Sequence, residues 1–182
     1  MILVVGLGNP GKQFKKTWHN LGVLALEKFA KEENFPPFSE KKELFAQITK
    51  KKIKQTVFLL AKPKTFMNES GKTVKKLLEF FKLPPKNMIV LHDDIDILLS
   101  QFKISFNKGA GGHKGVQSII DEIKTKGFWR IRIGSQPLCG KPKDLKEFVL
   151  QKIPKEEEKT LKEVFEKIIK KLLEFSENKN CQ

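Results

Sequence analysis

A chain of 182 residues with 39% hydrophobic and 31% charged side chains has the size of one domain, 1–182, and the means to bury a core, which sets aside disordered and fibrous classes. No apolar run approaches the ~20 residues of a membrane span, the start lacks the basic stretch of a secretory signal, and two cysteines, Cys139 and Cys181, make no disulfide framework, so the expectation is a cytoplasmic, reduced protein. A formal net charge of +15, with only Arg130 and Arg132 as arginines, favours a polyanionic partner such as nucleic acid, the alternative being lysines that are merely solvated.

Residues 2–7 read as a buried strand that enters Gly6-Leu7-Gly8-Asn9-Pro10-Gly11. This spells the G-x-G-x-x-G of dinucleotide-binding folds, but such a loop must open a helix whose N–H groups face the pyrophosphate. Pro10 pushes Asn9 out of the helical region, and residues 12–20 carry no apolar helical stripe. The acidic residue required ~20 positions on would be Glu32 or Glu33, inside the next helix. The loop instead delivers Asn9, Trp18, His19 and Asn20 to the carboxyl end of a strand, where open α/β sheets collect ligands.

Asn20 is expected to cap a helix over 21–33, and Phe35-Pro36-Pro37-Phe38 to be a loop. Residues 44–50 and 55–61 suit a hairpin around a basic turn, and 69–81 a helix closed by Pro84-Pro85. A strand over 88–91 runs into His92-Asp93-Asp94-Ile95-Asp96. Residues 101–106 alternate as a half-buried strand, and 107–115 form a glycine loop. A helix over 116–126, a strand over 128–134, a short helix near 145–150 and a long amphipathic helix over 155–175 complete the chain. Strands and helices alternate without repeats, so the fold class is α/β: a single mixed β-sheet flanked by helices, in three α/β/α layers.

The chemistry-bearing residues fall at strand ends. His19, Asp93, Asn9 and Asn68 can converge on one mouth of the sheet. A histidine whose tautomer is fixed by a carboxylate suits general-base hydrolysis, with asparagine amides holding a carbonyl oxygen or a water. Two alternatives stay open: these residues are structural caps and loop residues, or the histidines with Asp93, Asp94 and Asp96 hold a metal, although no tight ligand spacing such as H-E-x-x-H is present. No G-x-S-x-G elbow supports a serine hydrolase. Arg130 and Arg132, two apart in a strand, share a face and repel unless an anion lies between them, either a phosphate or internal carboxylates. Lys108 and Lys114 in the glycine loop offer further phosphate contacts.

Five segments in order, Gly6–Gly22, Lys62–Gly71, His92–Asp96, Gly109–Gly115 and Phe128–Gly134, resemble the bacterial-type peptidyl-tRNA hydrolases over nearly the whole chain. The resemblance implies a monomeric hydrolase without metal or cofactor. It would cleave the ester between a peptide's carboxyl end and the tRNA 3′ ribose, contacting the acceptor end and phosphate backbone of peptidyl-tRNA, with no membrane and no obligate protein partner. His19 is then the general base and Asp93 its orienting carboxylate, Asn9 and Asn68 hold water and the peptide end, and Met67 and Phe66 line the pocket. Arg132, with Arg130, Lys103 and Lys108, would meet tRNA phosphates. The chain departs from the family pattern at Lys114, where asparagine is usual, at Phe14, where tyrosine is typical, and at Ser105, where a basic residue is frequent. The rival readings are a basic RNA-binding module without catalysis and a nucleotide-dependent enzyme.

Overall fold

The computed structural model describes residues 1–177, so Cys181 lies outside the described residues. In chain order the elements are β1 (Ile2–Gly6), α1 (Leu21–Glu32), β2 (Ser39–Lys41), β3 (Ala46–Ile53), β4 (Thr56–Pro63), α2 (Ser70–Phe80), β5 (Met88–Leu98), β6 (Phe102–Phe106), α3 (Lys114–Ile123), β7 (Trp129–Gln136), α4 (Leu145–Phe148) and α5 (Glu158–Glu177). The seven strands form one sheet in the order β2-β3-β4-β1-β5-β7-β6. Parallel pairing joins β4, β1, β5 and β7, while β2, β3 and β6 run antiparallel to their neighbours.

The central strands are apolar on both faces because both are covered. Val4, Leu60, Leu91 and Ile131 face α1 and α5, where Leu26, Phe29, Val164 and Ile168 meet them. Leu3, Val5, Leu59 and Val90 face α2 and α3, packing on Val74, Leu77, Val116 and Ile119. The result is the three-layer mixed α/β arrangement expected from the sequence. Among the described residues, no helix is long and apolar enough to cross a membrane.

The glycines of the first loop serve packing. A Cβ at Gly22 would stand 2.1 Å from the Leu91 carbonyl oxygen, and one at Gly6 would stand 2.6 Å from that of Gly22. The N-terminus of α1 therefore lies directly on the end of β1 and the middle of β5, which a side chain at either position would prevent. Gly11 has φ +110°, the one place in the loop where the backbone itself calls for glycine.

Several local expectations are corrected. The strand expected over 88–91 does not stop at Leu91 but continues as β5 to Leu98, so His92 and Asp93 lie within it, paired with Arg132 and Ile133 of β7. Polar residues there read as a loop because β1, their other neighbour, has already ended at Gly6. Asn20 makes no side-chain cap to α1; its amide instead pairs with the backbone of Asn9. Strand β3 is shifted toward the turn, and the short edge strand β2 carries no apolar signal, all three of its residues being exposed. The helix expected from 116 begins at Lys114, two residues earlier.

Candidate active site

Adjacent parallel strands whose following helices go to opposite faces of a sheet leave a crevice at their carboxyl ends. Strands β1 and β4 make such a pair, since β1 leads to α1 on one face and β4 to α2 on the other. Asn9 follows β1, Met67 follows β4, and the two meet: Asn9 Oδ1 accepts the Met67 backbone N–H at 2.8 Å. The Asn20 side chain pins the Asn9 backbone from behind, accepting from its N–H at 2.8 Å and donating to its carbonyl at 3.0 Å. With its oxygen committed to a backbone donor, the Asn9 amide is fixed in orientation and presents its NH₂ as a donor at the cleft it lines.

Asp93 stands beyond the end of β1 and is 3% exposed, so its charge must be compensated within the protein. One of its oxygens, Oδ1, receives two imidazoles, His19 Nδ1 at 2.8 Å and His113 Nε2 at 3.0 Å. The tautomers follow from the partners. His113 is the N-cap of α3, and its Nδ1 accepts from the Gly115 and Val116 N–H groups at 3.1 and 3.3 Å, so its proton sits on Nε2 and is donated to Asp93. His19 Nδ1 faces a carboxylate and must likewise donate, so in the neutral ring Nε2 is the proton-free nitrogen, in a side chain that lines the cleft. Burial alone would raise the Asp93 carboxyl, but the electrostatic pull of the His19 and His113 rings and the hydrogen bonds they donate more than reverse this and hold it well below the usual carboxylate range.

The cleft encloses about 520 Å³. Of the residues singled out in the sequence, Asn9, His19, Phe66, Met67, Asn68, Asp93 and Lys114 line it. Phe14 stands one layer out, edge-on to the exposed Phe66 ring with centroids 6.4 Å apart. Lys103 and Lys108 are exposed on β6 and the glycine loop, outside the lining. Arg132 also lies outside it and is paired internally, its Nε donating to Asp94 Oδ2 at 2.7 Å, so a carboxylate supplies the anion that the R-x-R pattern demanded. Arg130 is 2% exposed and stands opposite Ser105 of β6. Burial and the neighbouring Arg132 both lower its pKa, with Asp94 opposing them.

Sequence reading missed two contributions. His113 entered the sequence reading only among the histidines of the metal alternative; its donation to Asp93 and its cap on α3 did not show, because that role depends on α3 starting at Lys114. The wall formed by Leu145, Lys146, Val149 and Leu150 of α4 and its C-terminal flank comes from a distant part of the chain and carried no signal. The metal alternative can be tested on the donor set. One ligand atom from each of His19, Asp93 and His113 lies within 4.8 Å of the others. Metal ligands must be deprotonated, yet His113 has neither nitrogen free, with Nδ1 facing two backbone donors and Nε2 carrying the proton. The cluster fits protons better than a cation.

A family model described as Peptidyl-tRNA hydrolase matches residues 3–182. Curated proteins named peptidyl-tRNA hydrolase from Aquifex aeolicus and Clostridium tetani are each 41% identical, covering 94% of this chain and 88% of theirs. The crystal structure of peptidyl-tRNA hydrolase from Acinetobacter baumannii superposes with a TM-score of 0.86 at 27% identity, over 94% of this chain and 86% of that one.

Behind the cluster, His92 is buried, its Nδ1 donating to the Asp93 carbonyl at 2.7 Å and its Nε2 left without a partner among the described residues. Burial first, then the adjacent His113, push its pKa well below 6.5. The unfolded chain therefore gains a proton that the folded one refuses once the pH drops below about 6.5, and stability falls on acidification. Replacing His92 with Asn keeps a donor toward Asp93. That variant should lose about 1 kcal/mol less than the unmodified protein between pH 7 and 5.5, read by urea denaturation; equal losses would contradict the assignment.

Proposed function

The chain belongs to the peptidyl-tRNA hydrolase family, and on that premise we propose that it hydrolyses the peptide–ribose ester of peptidyl-tRNA with His19 as general base and Asp93 as its orienting carboxylate. The observation that carries this reading is the 2.8 Å hydrogen bond from His19 Nδ1 to a buried, ionised Asp93, which turns the bare Nε2 toward the cleft.

A water held at Nε2 gives up a proton as its oxygen attacks the ester carbonyl, and Asp93 stabilises the imidazolium that forms. Negative charge grows on the former carbonyl oxygen, where the fixed NH₂ of Asn9 is a preorganised donor. Collapse of the tetrahedral intermediate breaks the bond to the ribose 3′ oxygen, which takes its proton from His19 Nε2. The products are a free carboxyl-ended peptide and tRNA with its 3′ hydroxyl restored. Asn68, exposed at the same rim, is placed to hold the peptide end, and Met67 and Phe66 supply apolar wall. Phe14 has no hydroxyl, so it supports Phe66 by ring contact alone.

Phosphates of the tRNA are assigned to Lys114 at the cleft and, outside its lining, to Lys108 and to Lys103 with its cross-strand neighbour Arg132. Lys114 offers donors but no acceptor, so it serves a phosphate better than it serves the water. Contact at Arg132 requires its guanidinium to turn from Asp94 toward the ligand, which its part-exposed position allows.

Incubation with labelled peptidyl-tRNA tests the reading. Peptide release should survive EDTA, and His19→Ala should lower it by roughly 10²–10⁴-fold, as for removal of a general base, while the protein keeps one cooperative unfolding transition at a lowered Tm because Asp93 has lost one of its two donors. A protein that binds deacylated tRNA but releases no peptide would instead be a non-catalytic binding module. Separately, Arg132→Ala should weaken tRNA binding and reduce the slope of log affinity against log salt by about 1; an unaltered slope would remove the phosphate contact.

A further inference from the structure

We propose that residues 149–153 form a strap that positions His19, with Lys152 as the positioning residue that fastens it; this rests on the general-base reading above. The loop that carries His19 has little regular structure of its own, only short 3₁₀ turns at Lys12–Phe14 and Trp18–Asn20. Between them Lys16 takes φ +61°, a left-handed conformation that a non-glycine residue holds only when its surroundings fix it.

What fixes it is the chain after α4. Thr17 and Lys152 form an antiparallel bridge. Around it, the Ile153 N–H donates to the Lys16 carbonyl at 2.9 Å, the Trp18 N–H to the Gln151 carbonyl at 3.2 Å, and the His19 N–H itself to the Val149 carbonyl at 2.8 Å. Trp18 stacks on Phe148 with ring centroids 5.3 Å apart and planes 18° from parallel. Lys152 Nζ then reaches back over the loop and donates to two carbonyls, Gln13 at 2.5 Å and Lys15 at 2.6 Å. One ammonium thus gathers the two carbonyls that bracket Phe14, just ahead of the left-handed turn at Lys16.

The imidazole of His19 is consequently held at two points, the side chain by Asp93 and the backbone by the strap. The same strap begins at Val149, which with Leu145 and Leu150 lines the cleft. The wall that meets the peptide and the group that activates water share one backbone connection. A loosened strap leaves Asp93 in place but lets the His19 backbone drift, which moves Nε2 relative to the ester. Displacements of about 1 Å in a catalytic group cost up to ~100-fold in rate, and they act on kcat rather than on ground-state binding.

Lys152 is exposed, so its replacement leaves the two carbonyls to water and the core intact. The test compares the full-length protein with Lys152→Ala and Lys152→Arg on a defined peptidyl-tRNA. The strap predicts that Lys152→Ala lowers kcat by about tenfold at nearly unchanged KM, and that Lys152→Arg, which keeps a long multiple donor, restores most of the loss. A raised KM with unchanged kcat, the mark of a phosphate contact, would overturn the proposal, as would wild-type kinetics in the alanine variant. Hydrogen exchange at the His19 amide reads the strap without any substrate. Faster exchange in Lys152→Ala supports the strap and equal protection overturns it, even if the unmodified protein releases no peptide and the hydrolase reading itself fails.

Discussion

Two imidazoles share a single carboxylate oxygen, and the geometry of the cleft depends on that arrangement. Asp93 is taken out of water by its position past the end of β1, where only β7 still pairs with its strand. A buried carboxylate is stable only with donors around it, and here both donors are ring nitrogens whose opposite nitrogens have different duties. His113 spends its Nδ1 on the N-terminus of α3, so that helix is tied to Asp93 through the ring. His19 has no such duty for its Nε2, which is left for chemistry.

The sheet supplies the rest by bringing distant segments to one rim. Asn9 and Met67 bridge the carboxyl ends of β1 and β4, where successive helices diverge to opposite faces. Gly22 allows α1 to begin against β5, which sets the turn of Trp18, His19 and Asn20 over Asp93. Gly115 does the same for α3, since a Cβ there would come 2.4 Å from the Met67 sulfur. Each close approach brings a helix N-terminus or a strand end nearer to the same carboxylate.

Which parts of this were legible in the sequence follows from whether a residue's role is local. Asn9 and Asp93 follow closely on apolar runs that read plainly as strands, His19 and Asn68 stand just ahead of helices with clear apolar stripes, and the five ordered segments pointed to one family. Failure of the G-x-G-x-x-G run as a dinucleotide loop was also readable, because Pro10 and the delayed helix at Leu21 are local facts. By contrast, the length of β5 depends on pairing with β7, which no stretch of His92–Asp96 reveals. The capping role of His113, the Asp94 partner of Arg132, the burial of Arg130 and the strap at Lys152 are all long-range contacts. The exchange of Asn20 from helix cap to clamp on Asn9 belongs with them, since a capping residue and a clamp look alike until the partner is known.

The protonation pattern around Asp93 is the core of the account, and imidazole nitrogen NMR on the unmodified protein, at a pH where the rings are neutral, reads it directly. The predicted result is a proton on Nδ1 of His19 and on Nε2 of His113, each coupled to the Asp93 carboxylate. A His19 ring protonated on Nε2, with Nδ1 bare, would contradict it, because the nitrogen facing the cleft would then be unable to take a proton from water.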